Sequence, residues 1–173
     1  MQVEVRREVE VRRARTSDVR AIRALVDTYT ADRRLLSKAT VTLFEHVQEF
    51  WVAVDPDDGL VVGCGALHVM WEDLAEIRTV AVDPRCRGQK IGHRIVSELL
   101  DVARDLGVAR VFCLTFETSF FGSFGFTEID GAPVPHGVFE QLLRSYDEGV
   151  AEFLDLERVK PNTLGNTRML LHL

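Results

Sequence analysis

The chain has 173 residues, 46% hydrophobic and 28% charged, a length and composition that suit one globular domain with a genuine core. It has no low-complexity tract and no apolar run of the roughly eighteen residues that a membrane helix needs. Residues 1–7 are charged with no apolar segment behind them, so no secretory signal is expected.

The net charge of −6 speaks against a nucleic-acid partner. The dense basic stretch Arg6, Arg7, Arg12, Arg13 and Arg15 is interrupted by Glu4, Glu8 and Glu10, and reads as a solvated segment. Cys64, Cys86 and Cys113 are odd in number and form no C-x-x-C pair, and the histidines lack metal-ligand spacing. A cytoplasmic, reducing compartment and no metal are therefore expected.

In chain order, residues 8–14 set Val9 and Val11 against charges, as an exposed strand does. Thr16 or Ser17 is placed to cap a helix whose stripe is Val19, Ile22, Leu25, Val26 and Tyr29. A shorter helix is expected over 40–49 with Val41, Phe44 and Val47 inward. Between them Leu35, Leu36, Ser37 and Lys38 form a loop with two large apolar residues and a cation. Residues 50–54 and 60–71 read as strands joined by the turn Asp55-Pro56-Asp57-Asp58-Gly59. A strand over 75–82 completes an antiparallel meander. Gly63 and Gly65 inside its middle strand mark a bulge or a close backbone approach.

The pattern then changes. A polar turn over 83–90 leads into a helix with Ile91, Ile95, Leu99, Val102 and Leu106 inward and Gly107 as its stop. A strand over 110–116 follows. Strand, turn, helix, strand is a βαβ unit, which requires parallel neighbours. Further on come a short helix over 118–124 ended by Gly125, and a strand over 126–129. A helix over about 137–155 has Leu142, Leu143, Tyr146, Val150 and Phe153 inward. A polar turn over 160–166 and a final strand over 167–173 close the chain. One α/β domain accounts for the whole.

A helix N-terminus carries unpaired N–H groups and positive dipole, and so attracts phosphate. Here its approach brings Arg85, Arg87 and Lys90, with Gly88 and Gly92 allowing close backbone contact. The physical expectation is a pyrophosphate cradle at Arg87, Gly88, Gln89, Lys90, Ile91, Gly92 and His93. Neither a dinucleotide fingerprint nor a Walker A loop is present. Instead V-A-V-D-P-x-x-R-G-x-x-I-G over 80–92 resembles the acetyl-CoA loop of the GNAT family of N-acetyltransferases. That family's pattern is [QR]-x-x-G-x-[GA]. Arg87, Lys90 and Gly92 take its three defined positions, so a lysine stands at the middle glycine. The departure bears on loop conformation, because an N–H needs no glycine unless φ is positive. Gly125-Phe126, after an aromatic segment, looks like the family's second CoA-contacting motif.

The resemblance implies an α/β (α+β) fold: a single domain over 9–173 behind an extension at 1–8. Its sheet is expected to be mixed and mostly antiparallel, with splayed parallel central strands and flanking helices. It also implies acetyl-CoA as co-substrate, with the pantetheine arm on the backbone of Val80, Ala81 and Val82 and with Phe121 nearby. Many members use a tyrosine, four residues before Gly-Phe, as the acid for the departing thiolate. Here Phe121 stands there and cannot donate.

Several stretches resemble the acetyltransferase domain of N-acetylglutamate synthases, among them Leu35-Leu36-Ser37-Lys38, residues 75–82, 111–115 and Phe120-Phe121. The strings at 152–156 and 160–166 are similar to the endings of stand-alone actinobacterial amino-acid acetyltransferases. This implies acetyl transfer to the α-amine of L-glutamate, with L-glutamine as a second acceptor, the first step of arginine biosynthesis. The same resemblance makes Glu76 the base and Thr115 a hydroxyl at the reaction centre. It places Lys38, with Leu36 beside it, at a substrate-contacting position, although Gly165 replaces an arginine of the longer synthases. Arg78 and Arg168 are further candidate cations for the substrate's carboxylates, and Asn166 and Thr167 candidate neutral hydrogen-bonding groups; a C-terminal strand arginine such as Arg168 is otherwise a solvated residue, and Arg158 and Lys160 are weaker candidates. The roles are chemically coherent. A substrate ammonium needs a base, and carboxylates call for cations such as Lys38 and Arg78. The partner expected is a small amino acid, with a homodimer as an open possibility and no nucleic acid or membrane. The competing expectations are transfer to another small amine or a protein amine, and a non-catalytic acetyl-CoA-binding regulatory module. The missing tyrosine supports the module; Glu76 and Thr115 oppose it.

Overall fold

Short apolar runs between strong turns give the strands, and longer stripes give the helices. The computed structural model describes residues 8–30 and 39–173. In order these are β1 (Glu10–Arg13), α1 (Val19–Thr30), α2 (Thr40–Glu45), β2 (Phe50–Val54), β3 (Val61–Trp71), β4 (Leu74–Val82) and α3 (Ile91–Asp105). There follow β5 (Arg110–Thr115), α4 (Thr118–Gly122), β6 (Thr127–Glu128), α5 (His136–Leu142), α6 (Glu148–Phe153), α7 (Lys160–Thr163) and β7 (Thr167–His172). The strands form one seven-stranded mixed sheet in the order β1-β2-β3-β4-β5-β7-β6. β4 and β5 run parallel, as the βαβ reading requires. The final strand enters between β5 and β6, antiparallel to both. The described residues cluster into two units, one drawn from 8–66 with Thr79–Asp101, the other Leu67–Arg78 with Val102–Leu173.

In the first unit, β2 and β3 pair with Phe50 opposite Ala66 and Val52 opposite Cys64. Side chains alternate along a strand, so these four share a face. α1 covers it with Val19, Ile22, Leu25 and Val26, and α2 adds Leu43. Full burial of such side chains stabilises by about 1.5–3 kcal/mol each. The other face presents Gly63 and Gly65. A Cβ on Gly65 would lie 2.8 Å from Ile95 Cγ2, and one on Gly63 would lie 2.9 Å from Ile91 Cγ2. The two glycines therefore mark a close approach: α3 packs directly on the backbone of β3.

In the second unit, the β4–β5 ladder pairs Leu74 with Arg110, Ala75 with Val111 and Glu76 with Phe112. Its core gathers Met70, Leu74, Phe112, Leu142, Val150, Phe153, Leu154 and Leu170. Phe112 meets Phe153 edge-on at 5.2 Å between centroids. α4 leads into an aromatic cluster in which Phe121 packs edge-on against Phe120 and Phe126.

Five local expectations are corrected. Neither Thr16 nor Ser17 caps α1; these residues form a tight 3-10 turn with Asp18, whose carboxylate accepts the Arg15 amide at 2.7 Å and pairs with Arg12. The 40–49 helix breaks after Glu45, and Leu43 faces inward while Val41 is 60% exposed and Phe44 also lies outside. In α3, Leu106 is exposed past the helix end, and Val96, Leu100 and Ala103 fill the core beside Ile91, Ile95 and Leu99. The helix over 137–155 is two helices, α5 and α6, split where the Asp147 side chain turns to accept the Val150 amide. Tyr146 in the break is 99% exposed and Leu143 also lies outside. The turn over 160–166 contains a single helical turn, α7.

Gly65→Ala is expected to destabilise by about 1–3 kcal/mol, the cost of overpacking against a branched Ile95 methyl that cannot swing aside. Urea denaturation of the variant and wild type measures this; equal midpoints would mean that α3 does not rest on the strand.

Candidate active site

Period-two alternation along β4 places Glu76 and Arg78 on one face, which the register shares with Phe112 and Leu114 of β5. Glu76 is buried, at 3% exposure. Its Oε2 lies 3.9 Å from Arg78 Nη1, an ion pair too long for a direct hydrogen bond. The same Nη1 donates to Asp147 Oδ1 at 2.7 Å. Asp147 caps α6, and its other oxygen lies 3.7 Å from His68 Nε2 on β3. Burial works to raise the Asp147 carboxyl, but the Arg78 hydrogen bond and charge, with His68 and the Val150 amide, bring it down to about 2. Burial, with the Glu76 charge behind it, pushes the Cys113 thiol up, which makes it a packing residue rather than a nucleophile.

Gly149 makes the cluster sterically possible. A Cβ there would fall 2.2 Å from Glu76 Oε2 and 2.7 Å from Arg78 Nη1. The start of α6 thus lies against both side chains. His68, Asp147 and Gly149 were absent from the sequence expectations. The available signal was Asp147-Glu148-Gly149, an acidic N-cap opening a helix, hidden by the apolar periodicity that ran through it.

The remaining expected residues divide. Thr115 lies three residues beyond Phe112 and so faces the opposite side of the sheet from Glu76; its hydroxyl accepts the Glu117 amide at 2.8 Å and shapes the turn into α4. The register does not bring these two together. Thr167 is paired with Thr115 on β7, and Asn166, half-buried, donates its amide to Thr163 at 3.2 Å. Arg168 is no solvated strand residue. Its guanidinium donates to the carbonyls of Glu152 at 2.6 Å, Phe153 at 2.5 Å and Gly131 at 2.9 Å, and stacks on Phe112. Burial lowers its pKa, and its donors tie β7 to the end of α6. Nearby, Arg158 pairs with Glu148 at 2.6 Å and Lys160 with Glu157 at 2.8 Å, all at the surface. Leu36 and Lys38 lie outside the described residues.

The expected cofactor residues other than Phe121 sit in the other unit. Asp83 caps the turn after β4 by accepting the Arg85 amide at 2.9 Å, and it also binds the Arg85 guanidinium at 2.7 Å. That leaves Arg87 and Lys90 as the exposed cations leading into α3. Gly88 takes φ +80° and Lys90 takes φ +58°. The lysine at the glycine position thus adopts the left-handed conformation that a glycine would take without strain. It is the last residue before α3, and its carbonyl accepts the Arg94 amide at 3.1 Å. The first N–H groups of this fifteen-residue helix, at Ile91, Gly92 and His93, follow directly. On β4, Tyr29 donates to the Val82 carbonyl, so that backbone oxygen is engaged from within the protein. Phe121 is buried in the aromatic cluster. Among the described residues no group of three or more His, Cys, Asp or Glu is placed to hold a metal, and no helix is long and apolar enough to cross a membrane.

A mixed sheet with one parallel pair, a basic turn entering a long helix, and a buried carboxylate beside a guanidinium define an acyl-transferase architecture. The model of the acetyltransferase (GNAT) family matches residues 18–126, and the chain belongs to that family. It is 68% identical over 162 residues to an amino-acid acetyltransferase of Mycobacterium tuberculosis, covering 93% of this chain and 92% of that one. The crystal structure of Rv2747 from Mycobacterium tuberculosis in complex with CoA and NLQ superposes with a TM-score of 0.92 at 68% identity, covering 95% of this chain and 99% of that one. N-acetylglutamate synthase from Neisseria gonorrhoeae, complexed with coenzyme A and N-acetyl-glutamate, shares the fold at a TM-score of 0.75 and 24% identity. There the match covers 95% of this chain and 35% of the other.

Left-handed backbone costs a non-glycine residue roughly 1–2 kcal/mol, while glycine gives back about 0.5–1 kcal/mol in entropy. Lys90→Gly is therefore expected to stabilise the protein by about 0.5–1 kcal/mol, whereas Lys90→Ala, which keeps the strain, gains nothing. Thermal melts of the two variants distinguish them. No gain in the glycine variant would mean that the turn is unstrained.

Proposed function

We propose that this chain is an amino-acid N-acetyltransferase that moves the acetyl group of acetyl-CoA to the α-amine of L-glutamate, with L-glutamine as a second acceptor. The observation that carries the reading is the buried pair of Glu76 and Arg78, a carboxylate and a guanidinium on one strand face. The 68% identity to an amino-acid acetyltransferase supports it. On this reading the reaction opens arginine biosynthesis. A cytoplasmic location fits the absence of a disulfide among Cys64, Cys86 and Cys113.

The turn at 87–93 fits a pyrophosphate, because exposed cations and the first N–H groups of α3 converge where two backbone positions are left-handed. When bound, acetyl-CoA supplies the acetyl group as a thioester, whose C–S bond breaks as the amine's C–N bond forms. Glu76 takes the proton of the substrate ammonium, directly or through water. Arg78 and Lys38 offer cations to the acceptor's carboxylates. Arg168, with its donors on backbone carbonyls, is assigned to holding α6 in place.

Glu76→Gln is expected to retain acetyl-CoA binding by calorimetry and to lose on the order of a hundredfold in turnover. Near-normal turnover across neutral pH would leave Glu76 structural. Lys38→Ala is expected to raise the acceptor KM by roughly ten- to a hundredfold, the value of one charge-assisted hydrogen bond, with little change in the KM for acetyl-CoA. Steady-state kinetics with glutamate, glutamine and spermidine reads this. Preferred use of spermidine, improved by the substitution, would sink the amino-acid reading.

A further inference from the structure

The turn before α3 hangs from one peptide group, Val82–Asp83, and that group is held from both sides. The Asp83 amide donates to the Val62 carbonyl of β3 at 2.8 Å. The carbonyl and amide of a trans peptide point in opposite directions, so the Val82 carbonyl leaves β4 by the edge away from β3. On that edge the ladder with β5 runs over residues 74–76, well short of Val82. Tyr29 of α1 meets the carbonyl there. Its hydroxyl donates where a neighbouring strand would otherwise supply an amide. The Tyr29 ring packs against the core that α1 shares with β2 and β3.

The residues downstream are referenced to the same group. The Asp83 carbonyl accepts the Cys86 amide at 2.8 Å, and the Asp83 side chain accepts the Arg85 amide at 2.9 Å. The Arg87 amide reaches the Pro84 carbonyl at 3.4 Å. Gly88 and Lys90 then take left-handed backbone, at φ +80° and +58°. α3 begins at the next residue and rests on β3 at Gly63, beside Val62. A lysine keeps left-handed backbone only where its surroundings over-determine it. Both ends of this turn are held against β3, one by the packing of α3 and the other by the Val82–Asp83 peptide.

We propose that Tyr29 is a positioning residue of the cofactor site: its hydroxyl fixes the Val82–Asp83 peptide and so keeps the turn at 87–93 in the shape that receives the CoA pyrophosphate. The proposal rests on that turn being the pyrophosphate site. Without the hydroxyl the Val82 carbonyl is left to water and the peptide is free to rotate. The turn then spends part of its time in shapes that the pyrophosphate does not fit, and affinity falls with the fraction that remains competent. One neutral hydrogen bond is worth about two- to tenfold in such a population. Tyr29 acts through this peptide and takes no part in the chemical step.

Tyr29→Phe tests this, because it removes the hydroxyl and keeps the ring against the core; Tyr29→Met, a flexible apolar filler of the same space, serves if the first variant folds poorly. Calorimetry measures the binding of CoA and, separately, of its phosphoadenosine diphosphate half, which carries the pyrophosphate and lacks the pantetheine arm. The expected result is a dissociation constant raised about two- to tenfold, by the same factor for both probes. The KM for acetyl-CoA should rise by that factor while the KM for glutamate stays in place. A hydroxyl that only stabilises α1 would lower the melting temperature and leave both dissociation constants unchanged. Unchanged constants overturn the proposal. So does a loss with CoA that is absent with the half molecule, since the hydroxyl would then serve the arm. Arg87→Ala separates the proposal from the reading beneath it. If that variant binds the half molecule as wild type does, the pyrophosphate reading falls and the proposal with it. If it binds weakly and Tyr29→Phe binds normally, only the role of Tyr29 falls.

Discussion

The placement of Glu76 is set by a parallel ladder only a few rungs long, Leu74↔Arg110, Ala75↔Val111 and Glu76↔Phe112. The pairing fixes which face of β4 carries Glu76, and alternation then commits Arg78 to the same face. A slip of one residue would exchange Glu76 for Ala75 or Ile77 and send both charges to the other side. The register is protected by what covers that face: Phe112, Phe153, Val150 and Leu154 form a core that accepts only apolar neighbours beside the ion pair. β7 locks β5 from its far edge along its whole length, from Arg110↔His172 to Thr115↔Thr167.

A buried carboxylate is tolerated only when paired, and here the pairing is shared. Removing one partner of such a cluster leaves an uncompensated charge and typically costs about 3–5 kcal/mol. Glu76, Arg78, Asp147 and His68 therefore have to be read as a group, with the sequence-distant Asp147 brought in by the cap of α6. The cap does two jobs. It ends the unsatisfied N–H at Val150, and it aims a carboxylate at the guanidinium. Gly149 is the steric condition for this arrangement, because a Cβ there would have to displace the ends of the Glu76 and Arg78 side chains from the positions they hold.

Much of this was legible in the sequence, for identifiable reasons. The strand runs 50–54, 61–71 and 74–82 lie between Pro, Gly and Asp turns, and the βαβ unit carries a long stripe and a glycine stop, so local chemistry and tertiary outcome agree. The tertiary structure overrode the pattern where apolar residues continued through a break. Leu143 and Tyr146 extend the helical period across 137–155, yet Asp147 caps a new helix because its carboxylate has a partner 69 residues away. That distance is why Asp147 and His68 escaped the reading, whereas Glu76 was singled out by the family resemblance and Arg78 shares its strand face two residues on. Thr115 shows what register alone adds. A strand hydroxyl at a suggestive position faces away from Glu76, which only the register reveals. Lys90, in the turn before α3, was plain in identity, but its left-handed backbone was not.

This fold carries acetyl groups from acetyl-CoA to an amino acid. The most direct measurement offers the wild-type protein acetyl-CoA together with an equimolar mixture of all the proteinogenic amino acids and spermidine, and identifies the products by mass spectrometry. N-acetylglutamate or N-acetylglutamine is expected as the dominant product, formed in step with free CoA. Acetylated spermidine as the dominant product, or release of CoA with no acetylated amino acid, would contradict it.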